Sequence, residues 1–504
     1  MRTKFYISIL AGAMLFTTGC SDEFLETEPT QFVSKDQIDE AAEKRPEVAA
    51  GTLAGLYSLM YTAFSGGTTG HDDFGHKGND LYSDLLTGDV ILGGYTYGWY
   101  QDIVEYQSTT DYTDLNNYQV WRFYYKIIYG ANNVIDGLGG NDAVPELQEA
   151  QYVMGQAKAM RAFAYFYLAN FYGEGYNPSE PLLPIYTELV DAQPLSTTQE
   201  VYDLILSDLN DAVTLLEGFN RSALTQINQD VAKGLLAYAY AATGTNENYE
   251  RVKTITEEII TSGQYDLTTA DAALEGFNDV NNPGWMWGVD LTLDYGLDLV
   301  SWWGQFDLFT YSYAWAGDPK VASYSLYDAI PADDIRKNWF VDAYGDGNLY
   351  PINKFYAPER VVGGQRNVTT DYVYMRIAEM YLLHAEASYM TGDETGARES
   401  LRTLLSQRLL DTDDDPATDD LTEELAYLDT LTGEALMDEI YLQTRIELWG
   451  EGKTYLAVKR LEKTVTLPEN HLSLPGETVP YNADELSFEI PQSEIQNNPN
   501  ISLQ

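Results

Sequence analysis

Five of the nine tryptophans in this chain, Trp285, Trp287, Trp302, Trp303 and Trp315, fall within one stretch of 31 residues, and Trp99 stands beside Tyr95, Tyr97 and Tyr100. Indole and phenol rings are apolar on their faces and polar at one edge, so they suit a surface that must be apolar and wet at once. A sugar ring has the matching chemistry: its C–H face stacks on such a ring, while Asp, Asn and Gln side chains satisfy its hydroxyls. The clustering predicts a sugar-stacking platform carried by two aromatic segments. Trp99 and Tyr97 represent the first, and Trp287, Tyr313 and Trp315 the second. The competing reading is that these rings plug loops onto a core, as most aromatic side chains do. Trp121 and Trp449 stand at helical spacing and are assigned to the core.

The other reactive residue types carry less. Asp411, Asp413 and Asp415 alternate as in a calcium loop, but Pro416 stands where glycine is required and Thr422 is at the twelfth position, so the stretch reads as a solvated acidic loop. His71 and His76 flank Asp72 and Asp73 with no third ligand motif, and no metal or cofactor is assigned. Among 78 acidic side chains some pair always looks fit for glycoside hydrolysis, which makes any one pair uninformative. No nucleophile elbow, phosphate loop or zinc-protease motif stands out.

Composition narrows the partners. With 29 basic against 78 acidic side chains the net charge is −49, which disfavours phosphate backbones and anionic headgroups, so no nucleic acid is expected. The 44% hydrophobic content is that of a folded globular chain. Cys20 is the single cysteine and closes a segment with Arg2 and Lys4 at its start, an apolar run over residues 5–16, and Thr17, Thr18 and Gly19 before it. That run is too short to span a bilayer and has the form of an export signal. The expectation is a signal peptide over residues 1–19, acylation of Cys20, and an acidic linker over residues 20–35, giving a chain anchored by lipid rather than spanning.

Helices must position the rings. Residues 36–64 look helical, with a break risk at Pro46. Residues 65–112, rich in Gly, Asp and Tyr without a sustained period, read as a long structured loop. Helical spacing returns over residues 117–138, 150–172 and 201–217. Residues 231–267 form a helix pair turning near Gly244 and ending at Gly263, the pattern of a tetratricopeptide unit of about 34 residues, and residues 376–408 form another copy. Residues 281–366 are an insertion that no repeat requires, and residues 434–463 return to helix. The predicted fold is all-α dominated: a tetratricopeptide-like helical-repeat scaffold with long loop-rich insertions, an N-terminal region over residues 36–268 and a C-terminal region over residues 269–504.

Six segments, in order, carry a family likeness: CSDEFLETEP at residues 20–29, VWRFYYKIIYGANNVID at 120–136, AKAMRAFAYFYLANFYGEGYNPSEPLLP at 157–184, MRIAEMYLLHAEASYMTGD at 375–393, RIELWGEGKTYLAVKR at 445–460 and IPQSEIQNNPNISL at 490–503. The chain thereby resembles the SusD/RagB outer-membrane lipoproteins of Bacteroidetes. The resemblance implies a surface-exposed glycan-binding lipoprotein of the outer membrane, lipidated at Cys20, that caps a SusC-like TonB-dependent barrel, passes saccharide to it and is not an enzyme. It also implies Trp99 as the leading stacking ring, with Asn79 and Asp80 as polar partners. Some relatives serve peptide-importing barrels, so the alternative is a scaffold that binds peptide along the concave face of its repeats.

Overall fold

The computed structural model describes residues 46–188, 190–412 and 421–501. The expected signal peptide, the lipidation site Cys20 and the linker lie outside the described residues, as do Asp413 and Asp415 of the calcium-like stretch.

The frame is a stack of antiparallel helices: α1 (Pro46–Leu59), α2 (His76–Thr87), α3 (Leu115–Gly137), α4 (Gln148–Tyr172), α5 (Thr198–Leu215), α6 (Gln229–Ala242), α7 (Asn246–Thr261), α8 (Ile377–Met390), α9 (Glu394–Leu405), α10 (Glu434–Glu447) and α11 (Lys453–Arg460). Their starts follow from side chains that accept orphan N–H groups: Asp114 caps α3, Asn228 caps α6, Thr245 caps α7, and Thr197 with Glu200 forms a capping box on α5. From Val153 to Tyr172 every residue of α4 is buried. Alanines at 157, 159, 162, 164 and 169 let α3 and α5 approach it closely, so α4 is the axis of the core.

The repeat order survives a long interruption. Helix α7 packs directly on α8, so residues 262–376 leave the stack and return to it without breaking it. Between α4 and α5 the short strands β2 (Pro181–Pro184) and β3 (Leu195–Thr197) pair, and a further two-stranded sheet closes the base of the excursion, β4 (Trp285–Val289) against β6 (Tyr372–Arg376), with Trp285 opposite Arg376. Below it lies a buried ionic cluster. Glu447 accepts from Arg376 (2.9 Å) and Arg408 (2.8 and 2.9 Å). Glu451 accepts from Arg376 (2.8 Å) and Lys354 (2.9 Å). Burial by itself would raise both carboxyls, yet the cations outweigh it, holding Glu447 well below the usual carboxylate range and Glu451 at about 2. The insertion is thus riveted to the repeats by paired charge.

Two expectations need correction. Residues 65–112 are not one loop. They contain α2, whose twelve residues are all buried, and strand β1 (Val90–Leu92). Its polar side chains mask its burial in the sequence, because some of them find partners far along the chain: His76 meets the Tyr124 hydroxyl at 3.1 Å, and Asp84 accepts the Gly452 N–H at 2.9 Å. Residues 434–463 are two helices rather than one, because Gly450 and Gly452 adopt left-handed φ values of 78° and 73° between them. Among the described residues no helix is long and apolar enough to cross a membrane.

Candidate functional site

The two aromatic segments meet. Strand β1 pairs antiparallel with β5 (Lys320–Ala322), Ile91 opposite Val321, and this ladder fixes the loop that follows β1 beside the loop that precedes β5. The Asp318 carboxylate tightens the joint. It accepts the Thr96 N–H and, at 2.9 and 3.1 Å, the Tyr97 N–H. Gly317 is required here, since its φ is 112° and a Cβ would lie 2.5 Å from the Thr96 hydroxyl oxygen.

On this joint stands a cluster of rings. Trp99 stacks on His71 with centroids 5.1 Å apart and planes 3° from parallel. Tyr313 meets the Trp99 indole edge-on at 6.2 Å and Tyr97 at 5.1 Å. The Tyr313 hydroxyl lies 2.7 Å from His71 Nδ1, which fixes the imidazole under the indole. Tyr100, immediately after Trp99, is held at φ 75°, a conformation uncommon for a non-glycine residue that costs of order 1–3 kcal/mol and turns the chain so that Trp99 faces outward while Tyr100 is buried. Trp315 lies on a short helix, Tyr313–Ala316, whose start is capped by Ser312. Its indole rests against Gly363, where a Cβ would come within 2.9 Å of the ring. Tyr311 leans on Trp315 at 5.8 Å, and the Arg366 guanidinium lies 4.0 Å over Tyr311. Tyr97 is 57% exposed and Trp315 46%, while Trp99 is half-buried, so open ring faces remain. Below them, the Lys320 ammonium donates to Gln305 Oε1 (2.9 Å), and Gln305 donates to the His71 carbonyl (2.8 Å). Burial pushes Lys320 down to about 7. The floor is buried and hydrogen-bonded.

Three of the expected site residues are elsewhere. Trp287 is 1% exposed in β4, packed edge-on to Phe163 with its indole N–H on the Thr225 carbonyl, and cannot reach a surface ligand. Asn79 and Asp80 are likewise 1% exposed. They belong to α2, where Asp80 sits 3.3 Å from His76 and 3.1 Å from Lys77, so its acceptor capacity serves the core. Trp285, Trp302 and Trp303 are also buried, as the loop-plugging reading has it. Trp99, Tyr97 and Tyr313 do converge, with Tyr313 supporting rather than presenting its face, while Trp315, on the same short helix as Tyr313, packs against Tyr311 and Gly363. The two histidines part company: His71 joins the rings, whereas burial drives His76 down to about 3 inside the core. His71 and Arg366 carry no sequence signal as ring partners, because contacts across 28, 55 and 242 residues leave no local pattern, while Tyr311 meets Trp315 only four residues along. The nearest thing to one is the proximity of His71 to a glycine-rich run.

Residues 92–241 match the family described as starch-binding associating with outer membrane, SusD-like_3, and residues 331–504 match the SusD family, SusD_RagB. The chain is 26% identical to SusD-like protein P25 of Formosa agariphila over 40% of its own length, a match that spans 36% of that relative. It is 25% identical to SusD-like protein P38 of the same organism over 88% of both chains. Among solved structures it is similar to a SusD-like carbohydrate binding protein from Bacteroides vulgatus, with a TM-score of 0.72 at 24% identity over 90% of this chain and 96% of that one. It is also similar to surface glycan-binding protein A from Bacteroides thetaiotaomicron in complex with laminarihexaose, with a TM-score of 0.65 at 17% identity over 91% and 98%. At these identities the two structures establish a common fold.

Proposed function

Since the chain belongs to the SusD/RagB family, we propose that it is a non-catalytic glycan-binding lipoprotein of the cell surface, held in the outer membrane by lipid on Cys20. It captures oligo- or polysaccharide and delivers it to a SusC-like TonB-dependent barrel. The observation that supports glycan most is the convergence of Trp99 and Tyr97 with Tyr313 from a distant segment, with the exposed Trp315 on the same short helix as Tyr313. Ring faces of this kind take the C–H side of a pyranose, and Arg366 and His71 stand at hand for hydroxyls. The family likeness and the laminarihexaose-bound neighbour favour the same ligand class.

The test is retention of purified protein on a panel of immobilised polysaccharides, with basic peptides as the control. Trp99→Ala and Trp315→Ala should each weaken retention roughly tenfold, the equivalent of about 1.4 kcal/mol of stacking. Melting temperature should change far less than on removal of a fully buried ring, because Trp315 is exposed and Trp99 only half-buried. No reducing ends should appear on incubation. Retention of peptides but of no polysaccharide, or full affinity in both variants, would overturn the reading.

A further inference from the structure

Every lysine and arginine among the described residues donates a hydrogen bond except Arg366. In a chain with 78 acidic side chains, such isolation is set by the fold and not by a shortage of partners. Its guanidinium lies 4.0 Å over the Tyr311 ring instead, and Tyr311 leans on Trp315 at 5.8 Å. Backbone bonds fix this stack. The Gly363 N–H donates to the Leu308 carbonyl at 3.0 Å, the Gly364 N–H to the Phe309 carbonyl at 3.2 Å, and the Tyr311 N–H to the Gln365 carbonyl at 2.7 Å. Residues 363–365 therefore run along residues 308–311 and set Arg366 on the ring. The carboxylates of the surrounding segments are engaged elsewhere. Asp307 accepts the Phe309 and Ala357 N–H groups and the Thr310 hydroxyl, and Asp318 the Thr96 and Tyr97 N–H groups. Asp371 accepts the N–H groups of Val280 and Leu291, and Asp298 that of Val300. Glu359 lies at the far end of the same loop, next to Arg360, whose guanidinium donates to Asn353 Oδ1 at 2.9 Å. Arg366 and Trp315 are both exposed.

Resting on the glycan reading above, we propose that this stack selects saccharides that carry a carboxylate, that is, uronic acids: the sugar lies on the Trp315 and Tyr311 rings and Arg366 takes the carboxylate. The guanidinium is flat and presents its N–H groups in its own plane, a fork that the two oxygens of a planar carboxylate match. Tyr311 already covers one of its faces, which orders the side chain before a ligand arrives and reduces the rotamer freedom lost on binding. Trp315 is no farther from Arg366 than the two spacings of the stack combined, so a saccharide seated on the indole brings a substituent of the same or the adjoining ring to the guanidinium. The net charge of −49 narrows the class further. It repels a dense polyanion, but that repulsion is screened beyond about 8 Å at physiological salt, which leaves a single contact at the ring face free to act. The favoured ligand is a mainly neutral glycan with sparse uronic acids.

The experiment compares retention of purified protein on three forms of each neutral polysaccharide in a panel: the parent, the same polymer with a small fraction of its C6 hydroxyls oxidised to carboxylate, and the same polymer with an equal fraction sulfated. The oxidised form of whichever parent is retained should be held roughly fivefold more tightly than the parent, the effect of one strong exposed ion pair. Arg366→Gln should bring that ratio to about one. Arg366→Lys, which keeps the charge and loses the fork, should give an intermediate ratio. Trp99→Ala should weaken retention of parent and oxidised form alike. A gain that persists in full in Arg366→Gln, a gain for the sulfated form alone, or equal retention of parent and oxidised forms would overturn the selection for carboxylate and leave the glycan reading standing. Retention of no form of any polymer would overturn both.

Discussion

Trp99 and Trp287 are the same side chain put to opposite uses, and the difference lies in their neighbours. Trp287 is enclosed by Phe163 and Tyr374 and has its N–H satisfied by the Thr225 carbonyl, so removing it leaves a cavity and an orphaned acceptor. Trp287→Ala should lower the free energy of unfolding by about 3–5 kcal/mol, read from urea titration, without a specific effect on ligand. A loss below about 1 kcal/mol would contradict the packing described for β4. Trp99 is half-buried against His71 and Tyr313 at the surface, so its removal should register mainly in affinity instead. Comparing the two variants in both assays separates core from platform.

At the scale of elements, the insertion is secured by charge as much as by strand pairing. Glu447 ends α10 and Glu451 lies in the turn before α11, and the insertion answers with Arg336 and Lys354. The sign of the pH effect follows from the depressed carboxyl of Glu451. Its contribution is fully present above the unfolded carboxyl range near pH 4.5 and is lost as pH falls toward its folded value of about 2. Glu451→Gln should therefore melt well below the parent at pH 7, with a gap that narrows as the pH is lowered through that window. A gap that stays constant with pH would mean that shape, and not charge, is what Glu451 supplies. Helix α2 shows the same economy: His76, Lys77, Asp80 and Asp84 are buried because they bond to one another, to Tyr124 and to the Gly452 turn.

For the whole molecule, a net charge of −49 keeps copies apart and makes adsorption to anionic headgroups unfavourable, so the proposed lipid on Cys20 would act without electrostatic help. Cys20→Ala should move the protein from the membrane fraction to the soluble one and abolish incorporation of radiolabelled palmitate. Continued sedimentation of this variant with membranes would assign attachment to some other feature.

The helical frame was legible from the chain alone, since a helix that buries one face must repeat apolar residues every three or four positions, and glycine and capping residues mark its ends. The split of the rings between core and surface was not. Trp287 and Trp315 lie in one aromatic run, and nothing in their flanks distinguishes them until β4 pairs with β6 and β1 with β5. The burial of α2 was hidden for a related reason: its polar residues look solvated until their partners arrive from positions as distant as Gly452. Periodicity is a local property that sequence records, whereas the satisfaction of a polar group or the enclosure of a ring depends on contacts that only the folded chain brings together.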